Sequence, residues 1–475
     1  MKKLLLLTGL AVALSTSLTG CNKFLDVKPI DQKDEVDALN TLVNVQQLLA
    51  ASYGNITTGE FYGGRIQRIS ELFSDNVDPA FLNGSNLSIN NRAFAVFAGN
   101  VGENVWTNGY FGIDRANRVI FAVDNNTFPA DQDVKNRLKG EALFLRALAH
   151  FELVRLFSKP FTAGGGSAPG IPIRITPGTP EIAQTRVGRG TVGEVYAQVI
   201  RDLGEAQGLL PAVNGDRATS WAAKAILARV YFNQNDFQNA YSAASDVINS
   251  GVFPLMGSSV LDPFRNAGSN QTRGGVIFQV ISTPASDLTI FELRNNFYSA
   301  NPGNVPISFP LAAGNNELYT DLKAIGGLRF DSLVVDTSAS INRPSSRKFQ
   351  GLTRAGGQAA NYSIVRVAEM YLIRAEAGVE LGKPEAEVLA DVNVLRSVAN
   401  APLATSPGDV NALKELVRRE RRIELYFEYD RFHELRRQGK STRSAGGETF
   451  SFDSCRLLPI PQAEVNGNAN IEQNC

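Results

Sequence analysis

Apolar residues recur along most of this chain at three- and four-residue steps, the spacing of one buried helix face. A first segment carries Val36, Leu39, Val43, Gln46, Leu49 and Ala50 in that register. Trp106, Tyr110, Ile113, Asn117 and Ile120 form a single stripe and predict a helix from about 105. Leu138, Ala142, Leu145, Ala149 and Leu156 predict another over about 134–158, ended by Pro160 and Gly164–Gly166. Thr191 with Glu194 three residues later is a capping box. The helix it opens carries Tyr196, Val199, Leu203, Ala206 and Leu210 and stops at Pro211. Two short helices, about 219–233 and 236–250, are split by Asn235-Asp236, and three more are predicted at about 363–382, 384–399 and 409–438. Gly, Asn, Ser and Pro break the pattern over 54–104, 161–190 and 251–361, which read as loops. Val276–Ile281 is the one strand expected there.

The helix pairs repeat. Leu227, Ala228, Tyr231, Ala240 and Val247 fall at positions 7, 8, 11, 20 and 27 of a tetratricopeptide-like unit. Ile373, Ala377 and Ala386 fit positions 7, 11 and 20 of a second, and Val199, Leu203, Ala206 and Pro211 fit positions 20, 24, 27 and 32 of a third. Small residues at positions 8 and 20 let two helices approach closely. A pair cannot bury its own apolar face, so neighbouring pairs must stack. The expected class is therefore all-α, a superhelix of tetratricopeptide-like repeats with minor β structure and a loop-rich region.

Composition narrows the chemistry. The 475 residues hold 47 Lys plus Arg and 47 Asp plus Glu, which leaves no basic footprint for nucleic acid. Two histidines, His150 and His433, are too few for a His-rich metal site, and both lie in apolar helical runs that suit packed rings. Gly164–Gly166 lacks the Lys-Ser/Thr that would follow in a phosphate loop. No metal, cofactor or catalytic residue is expected. A glycosidase would need two carboxylates held close together, and no local motif supplies them.

The N-terminus is more informative. Lys2 and Lys3 precede an apolar run, Leu4–Leu14, that suits a secretory signal and is too short to span a bilayer as a helix. Leu18-Thr19-Gly20-Cys21 then resembles a bacterial lipobox, with Cys21 as the acylated residue. Each buried methylene adds roughly 0.8 kcal/mol of anchoring, so several chains on one thiol hold a protein to a membrane. The expected organisation is a signal peptide over 1–20, a tether over 21–34 and a single domain over 35–475. Its helical scaffold covers about 35–53, 105–158, 191–253 and 362–440, with loop-rich parts at 54–104 and 254–361. Cys455 and Cys475 remain, as a disulfide or as two thiols. The oxidising compartment favours the disulfide, whose 20-residue separation is worth roughly 3 kcal/mol in the chain-entropy model.

Six stretches, in order, resemble the SusD/RagB family of outer-membrane lipoproteins from Bacteroidetes. They are Cys21–Pro29; Trp106 with Tyr110, Ile113, Ala116 and Asn117; Gly140–Phe157; Arg217–Tyr231; Arg366–Glu376; and Glu420–Arg436. Tyr429 stands where the family often has Gly, and Glu434 where it often has Asp. The resemblance implies about four tetratricopeptide-like pairs with a loop-rich region packed on top. It also implies a cell-surface lid over a SusC-like TonB-dependent transporter, capturing oligosaccharides or peptides without turning them over. An envelope scaffold that binds only proteins and a surface glycan hydrolase are the alternatives.

Loops on a rigid frame present function, so ligand candidates are sought at 60–104 and 285–350. Both tryptophans, Trp106 and Trp221, fall at scaffold positions. Stacking then rests on Phe61, Tyr62, Phe81, Phe297 and Tyr298, with Arg65, Asn83, Asn86 and Asn295 as hydrogen-bonding partners. The charges of 420–437 read as a structural network of i,i+4 ion pairs along one helix, and Glu141, Arg146, Glu152, Arg155, Glu369, Arg374 and Glu376 read as buried Glu–Arg pairs between stacked helices.

Overall fold

The computed structural model describes residues 39–475 apart from 83, 94–98, 179–184, 256–259, 261, 266–274, 282–308, 314–316, 336–343, 350–360, 444–446, 455 and 475. The signal, lipobox, tether and the cysteines lie outside the described residues.

Helix α1 (Leu42–Thr57) is capped by the Thr41 hydroxyl, which accepts from Asn44 N at 3.2 Å. Two short helices follow, α2 (Arg65–Leu72) and α3 (Gly84–Asn90), and then the long α4 (Gly99–Asp124) and α5 (Gln132–Phe157). The 54–104 loop region thus contains short helices, and α4 begins earlier than its apolar stripe suggested. Next come α6 (Val192–Leu209), α7 (Ser220–Gln234) and α8 (Phe237–Asn249). The expected capping box opens α6: Thr191 Oγ1 accepts from Glu194 N at 3.1 Å, and Glu194 Oε2 accepts from Thr191 N at 2.7 Å.

The second half carries β1 (Val276–Val280), α9 (Leu318–Ile325), and the paired strands β2 (Val334–Val335) and β3 (Ser345–Ser346). It continues through β4 (Tyr362–Arg366), α10 (Val367–Glu380), α11 (Glu385–Val398), α12 (Val410–Leu425) and α13 (Arg431–Arg437). A small hairpin of β5 (Thr442–Arg443) and β6 (Thr449–Phe450), then α14 (Gln462–Gly467), complete the chain.

Four helix pairs form the scaffold: α1 with α4, α5 with α6, α7 with α8, and α10 with α11. Neighbouring pairs stack through α4 on α5, α6 on α7 and α8 on α10, as repeats that cannot bury their own faces require. The small residues sit at the crossings, where Ala228 and Ala240 are fully buried. Asn235 turns α7 into α8 with a left-handed φ of 61°, a conformation asparagine tolerates well. No helix among the described residues is long and apolar enough to cross a membrane.

Two predicted helices differ. The helix expected from 363 starts at Val367, because Tyr362–Arg366 is entirely buried and pairs antiparallel with β1, Gln279 opposite Ser363 and Val280 opposite Tyr362. Tertiary pairing overrides local helix preference there. The single helix expected over 409–438 breaks between α12 and α13, where Phe427 and Tyr429 adopt φ of 62° and 57°. Glycine would enter that conformation without strain, so Tyr429 holds a backbone angle that favours glycine.

The first pair shows how closely the helices approach. Ser52 Oγ donates to Gly112 O at 2.8 Å, and a Cβ added at Gly112 would lie 2.7 Å from Ile56 Cδ1. Gly112→Val is expected to destabilise the fold by about 1–3 kcal/mol through overpacking. An unchanged urea midpoint would show that this crossing relaxes freely.

Candidate functional site

Between Glu420 and Arg437 charged and apolar residues alternate so densely that one face of the chain must bury charge. The structure pairs each charge with another element, and few of these pairs are the i,i+4 contacts the sequence suggested. Arg329 meets Glu420 at 2.6 Å, and Arg396 meets the same carboxylate at 2.8 Å. Arg366 grips Glu428 through two bonds of 2.8 and 2.7 Å, and Lys348 reaches it at 2.6 Å. Arg229 grips Glu369 at 2.8 and 2.6 Å and touches the Tyr429 hydroxyl. Arg437 joins Glu376 at 2.7 Å to Glu434 at 2.8 Å. Arg431 takes Asp75 at 2.6 and 2.8 Å, tying α13 to the loop after α2. Burial alone would raise Glu369 and Glu428, but the arginines facing them hold both below the usual carboxylate range. Each of these acids faces at least one arginine or lysine.

Glu71 is the exception. It is fully buried and, among the described residues, has no arginine partner; it accepts from Asn76 Nδ2 at 2.9 Å and Tyr429 N at 3.2 Å. Burial pushes it up to about 7, and those bonds and Lys348 offset only part of that.

The predicted ligand residues scatter. Phe61 and Tyr62 are wholly enclosed. The Tyr62 hydroxyl donates to Glu152 Oε1 at 2.6 Å, and its ring packs edge-on to Tyr429, so neither ring is a stacking platform. Arg65 pairs with Glu60 at 2.7 Å and is nearly buried. Asn86 is near the surface, where its Oδ1 accepts from Arg68 Nε at 2.8 Å. Phe81 ends a short 3-10 turn, Pro79–Phe81. Asn83, Asn295, Phe297 and Tyr298 lie outside the described residues. His150 and His433 are packed and neutral: burial, with Arg146 beside it, lowers His150 to about 3, and burial lowers His433 well below its usual range.

The sequence reading did not point to a groove of about 310 Å³ between α4, the 171–178 segment and α14. Trp106 and Tyr110 line it, their ring centroids 4.8 Å apart, with Asp114, Arg174 and Glu464 around them. Trp106 is only 2% exposed and packs edge-on to Phe157, so it is a scaffold residue that shows the groove an edge. Hydrogen bonds fix the wall opposite α4. The Tyr110 hydroxyl donates to Pro172 O at 2.7 Å, and Gly178 N donates to Asp114 Oδ1 at 2.6 Å. Asn117 Nδ2 donates to Thr176 O at 3.0 Å.

A family model described as "Starch-binding associating with outer membrane" matches residues 23–232, and a SusD family model matches residues 335–475. The SusD-like protein P2 of Formosa agariphila is 28% identical over 519 aligned positions, covering 98% of each chain. A SusD superfamily protein from Bacteroides thetaiotaomicron superposes with a TM-score of 0.80 at 24% identity, covering 92% of this chain and 100% of that one. A laminarin-binding SusD-like protein superposes with a TM-score of 0.71 at 23% identity, covering 92% and 99%. At these identities the superpositions establish the fold.

Glu71 gives a pH signature. Its pKa in the folded state, about 7, lies above the ordinary 4.5, so the folded protein holds the proton more tightly. That contribution is complete below about pH 4.5 and is lost as pH rises through 7, roughly 3 kcal/mol in all. Glu71→Gln is expected to flatten urea stability between pH 5 and 7. An unaltered slope in that window would assign the titration elsewhere.

Proposed function

The chain belongs to the SusD/RagB family, and from that premise we propose that it is a lipid-anchored surface protein that captures oligosaccharides for a partner TonB-dependent barrel. One observation carries the reading. The two family matches bracket the molecule from residue 23 to 475, and all four helix pairs fall into one stacked scaffold between them. The laminarin-binding neighbour favours a glycan ligand. The charged core favours binding without turnover, because Glu420, Glu424, Glu428 and Glu376 are each held by arginine or lysine partners, with Glu71 standing apart from that network. Signal residues 1–20, acylation at Cys21 and the tether over 21–34 are part of the same reading.

Folded-state binding raises stability by mass action, about 2.7 kcal/mol at a ligand concentration one hundred times Kd. Full-length protein in mild detergent is expected to show a higher Tm with one class of neutral oligosaccharide from a panel of β-glucans, xylans and mannans. A response confined to peptide pools would replace the glycan with a peptide ligand, and a protein that responds to neither would fit a scaffold for protein partners. Gentle extraction is expected to bring a large barrel protein with it.

Anchoring is tested separately. Cys21→Ala is expected to move the protein into the soluble periplasmic fraction. Retention in the membrane fraction would mean that Cys21 is not the anchor.

A further inference from the structure

The groove between α4, the 171–178 segment and α14 contains two charged side chains without protein partners. Among the described residues, neither the Arg174 guanidinium nor the Glu464 carboxylate makes a hydrogen bond or ion pair, and they do not pair with each other, although both line the same groove. Around them the other charged and amide side chains are committed. Asp114 accepts from Gly178 N at 2.6 Å and pairs with Arg118 at 2.8 Å. Asn117 donates to Arg174 O at 3.2 Å and Thr176 O at 3.0 Å, and its own oxygen accepts from Arg146 at 2.9 Å. Arg174 N donates to His150 Nε2 at 3.3 Å. The backbone that carries Arg174 is thus pinned to α4 and α5, while the charged side chains of Arg174 and Glu464 face the groove without a protein partner among the described residues.

The charge balance selects the ligand. An anion would meet Arg174 but face Glu464 and Asp114, and a cation would meet the acids but face Arg174. A neutral polyol suits both, because each hydroxyl donates and accepts. Tyr110, half-buried, offers part of its ring as an apolar floor, and its hydroxyl is held by Pro172. An aromatic wall with a few convergent polar groups is the usual make-up of a small-ligand pocket, and about 310 Å³ is near the lower end of that class.

We propose that this groove is a second carbohydrate contact on the helical scaffold, apart from the loops, taking one or two neutral pyranose rings with Arg174 and Glu464 as paired hydroxyl ligands and Tyr110 as the floor. The proposal rests on the glycan-binding reading above. A fixed wall lets the rings bind without ordering new backbone, so little entropy is lost beyond that of the sugar itself.

The chain reports on this site directly. Trp106 and Trp221 are its only tryptophans, and only Trp106 lines the groove. A Trp221→Phe variant of the full-length protein leaves Trp106 as sole emitter. Titration with the bound oligosaccharide is expected to change that emission saturably. Arg174→Ala and Glu464→Gln, each in the Trp221→Phe background, are expected to weaken binding about tenfold or more and to leave the urea midpoint unchanged, since neither side chain holds the fold together. Calorimetric binding without an emission change and with full affinity in both variants would overturn the groove site and leave the glycan reading intact. No calorimetric binding to any oligosaccharide would remove that reading and the groove proposal with it. An emission change produced by peptides alone would overturn the neutral-sugar assignment.

Discussion

Buried charge near the C-terminus is the constraint on which the rest of the structure depends. Arg366, Arg421 and Arg437 are each almost fully removed from solvent, and each faces a carboxylate distant in sequence, Glu428, Glu369 and Glu376 respectively. Such pairs add little net stability over apolar residues of the same volume, but leaving one partner alone costs about 3–5 kcal/mol. An arrangement of this kind tolerates one register only. If α10 shifted by a turn against α7, α12 and α13, Glu369 and Glu376 would lose their arginines together. The helix pairs are interchangeable in outline, and the charges make their order unique.

The periodic elements were legible because helix-face burial repeats within a single segment. The capping box at Thr191, the α7–α8 unit and the α10–α11 unit all lie where their spacing put them, within a few residues. What the pattern did not reveal depends on partners distant in sequence. Tyr362–Arg366 is a strand because β1 lies beside it, and nothing in its own five residues separates that from the first turn of α10. The break after α12 looks helical residue by residue. It is held open by Tyr429, whose hydroxyl sits between Arg229 and the Ile364 carbonyl, 200 and 65 positions away.

The ligand residues were less legible for a related reason. Aromatic residues in a Gly- and Asn-rich region suggest an exposed platform, yet Phe61 and Tyr62 fill the space under α2 and complete the core. In the groove, Tyr110, Arg174 and Glu464 come from three separate segments, so no window of sequence contains their chemistry. One signal was available. Arg174 lies in a Pro- and Gly-rich stretch with no acidic residue at helical spacing to neutralise it.

The long reach of the charged clasp also governs the order of assembly. Arg422 bonds to Asn76 across 346 positions, and Arg436 reaches the Arg155 carbonyl across 281. Helices can form locally within microseconds, but contacts of that separation wait for slow loop closure. The first helix pairs to emerge therefore stay unlocked, their acids and arginines still hydrated, until the last segments arrive. On the proposed reading of an exported chain this delay is useful, because its tightest knot is tied only when nearly all of it is on the same side of the membrane.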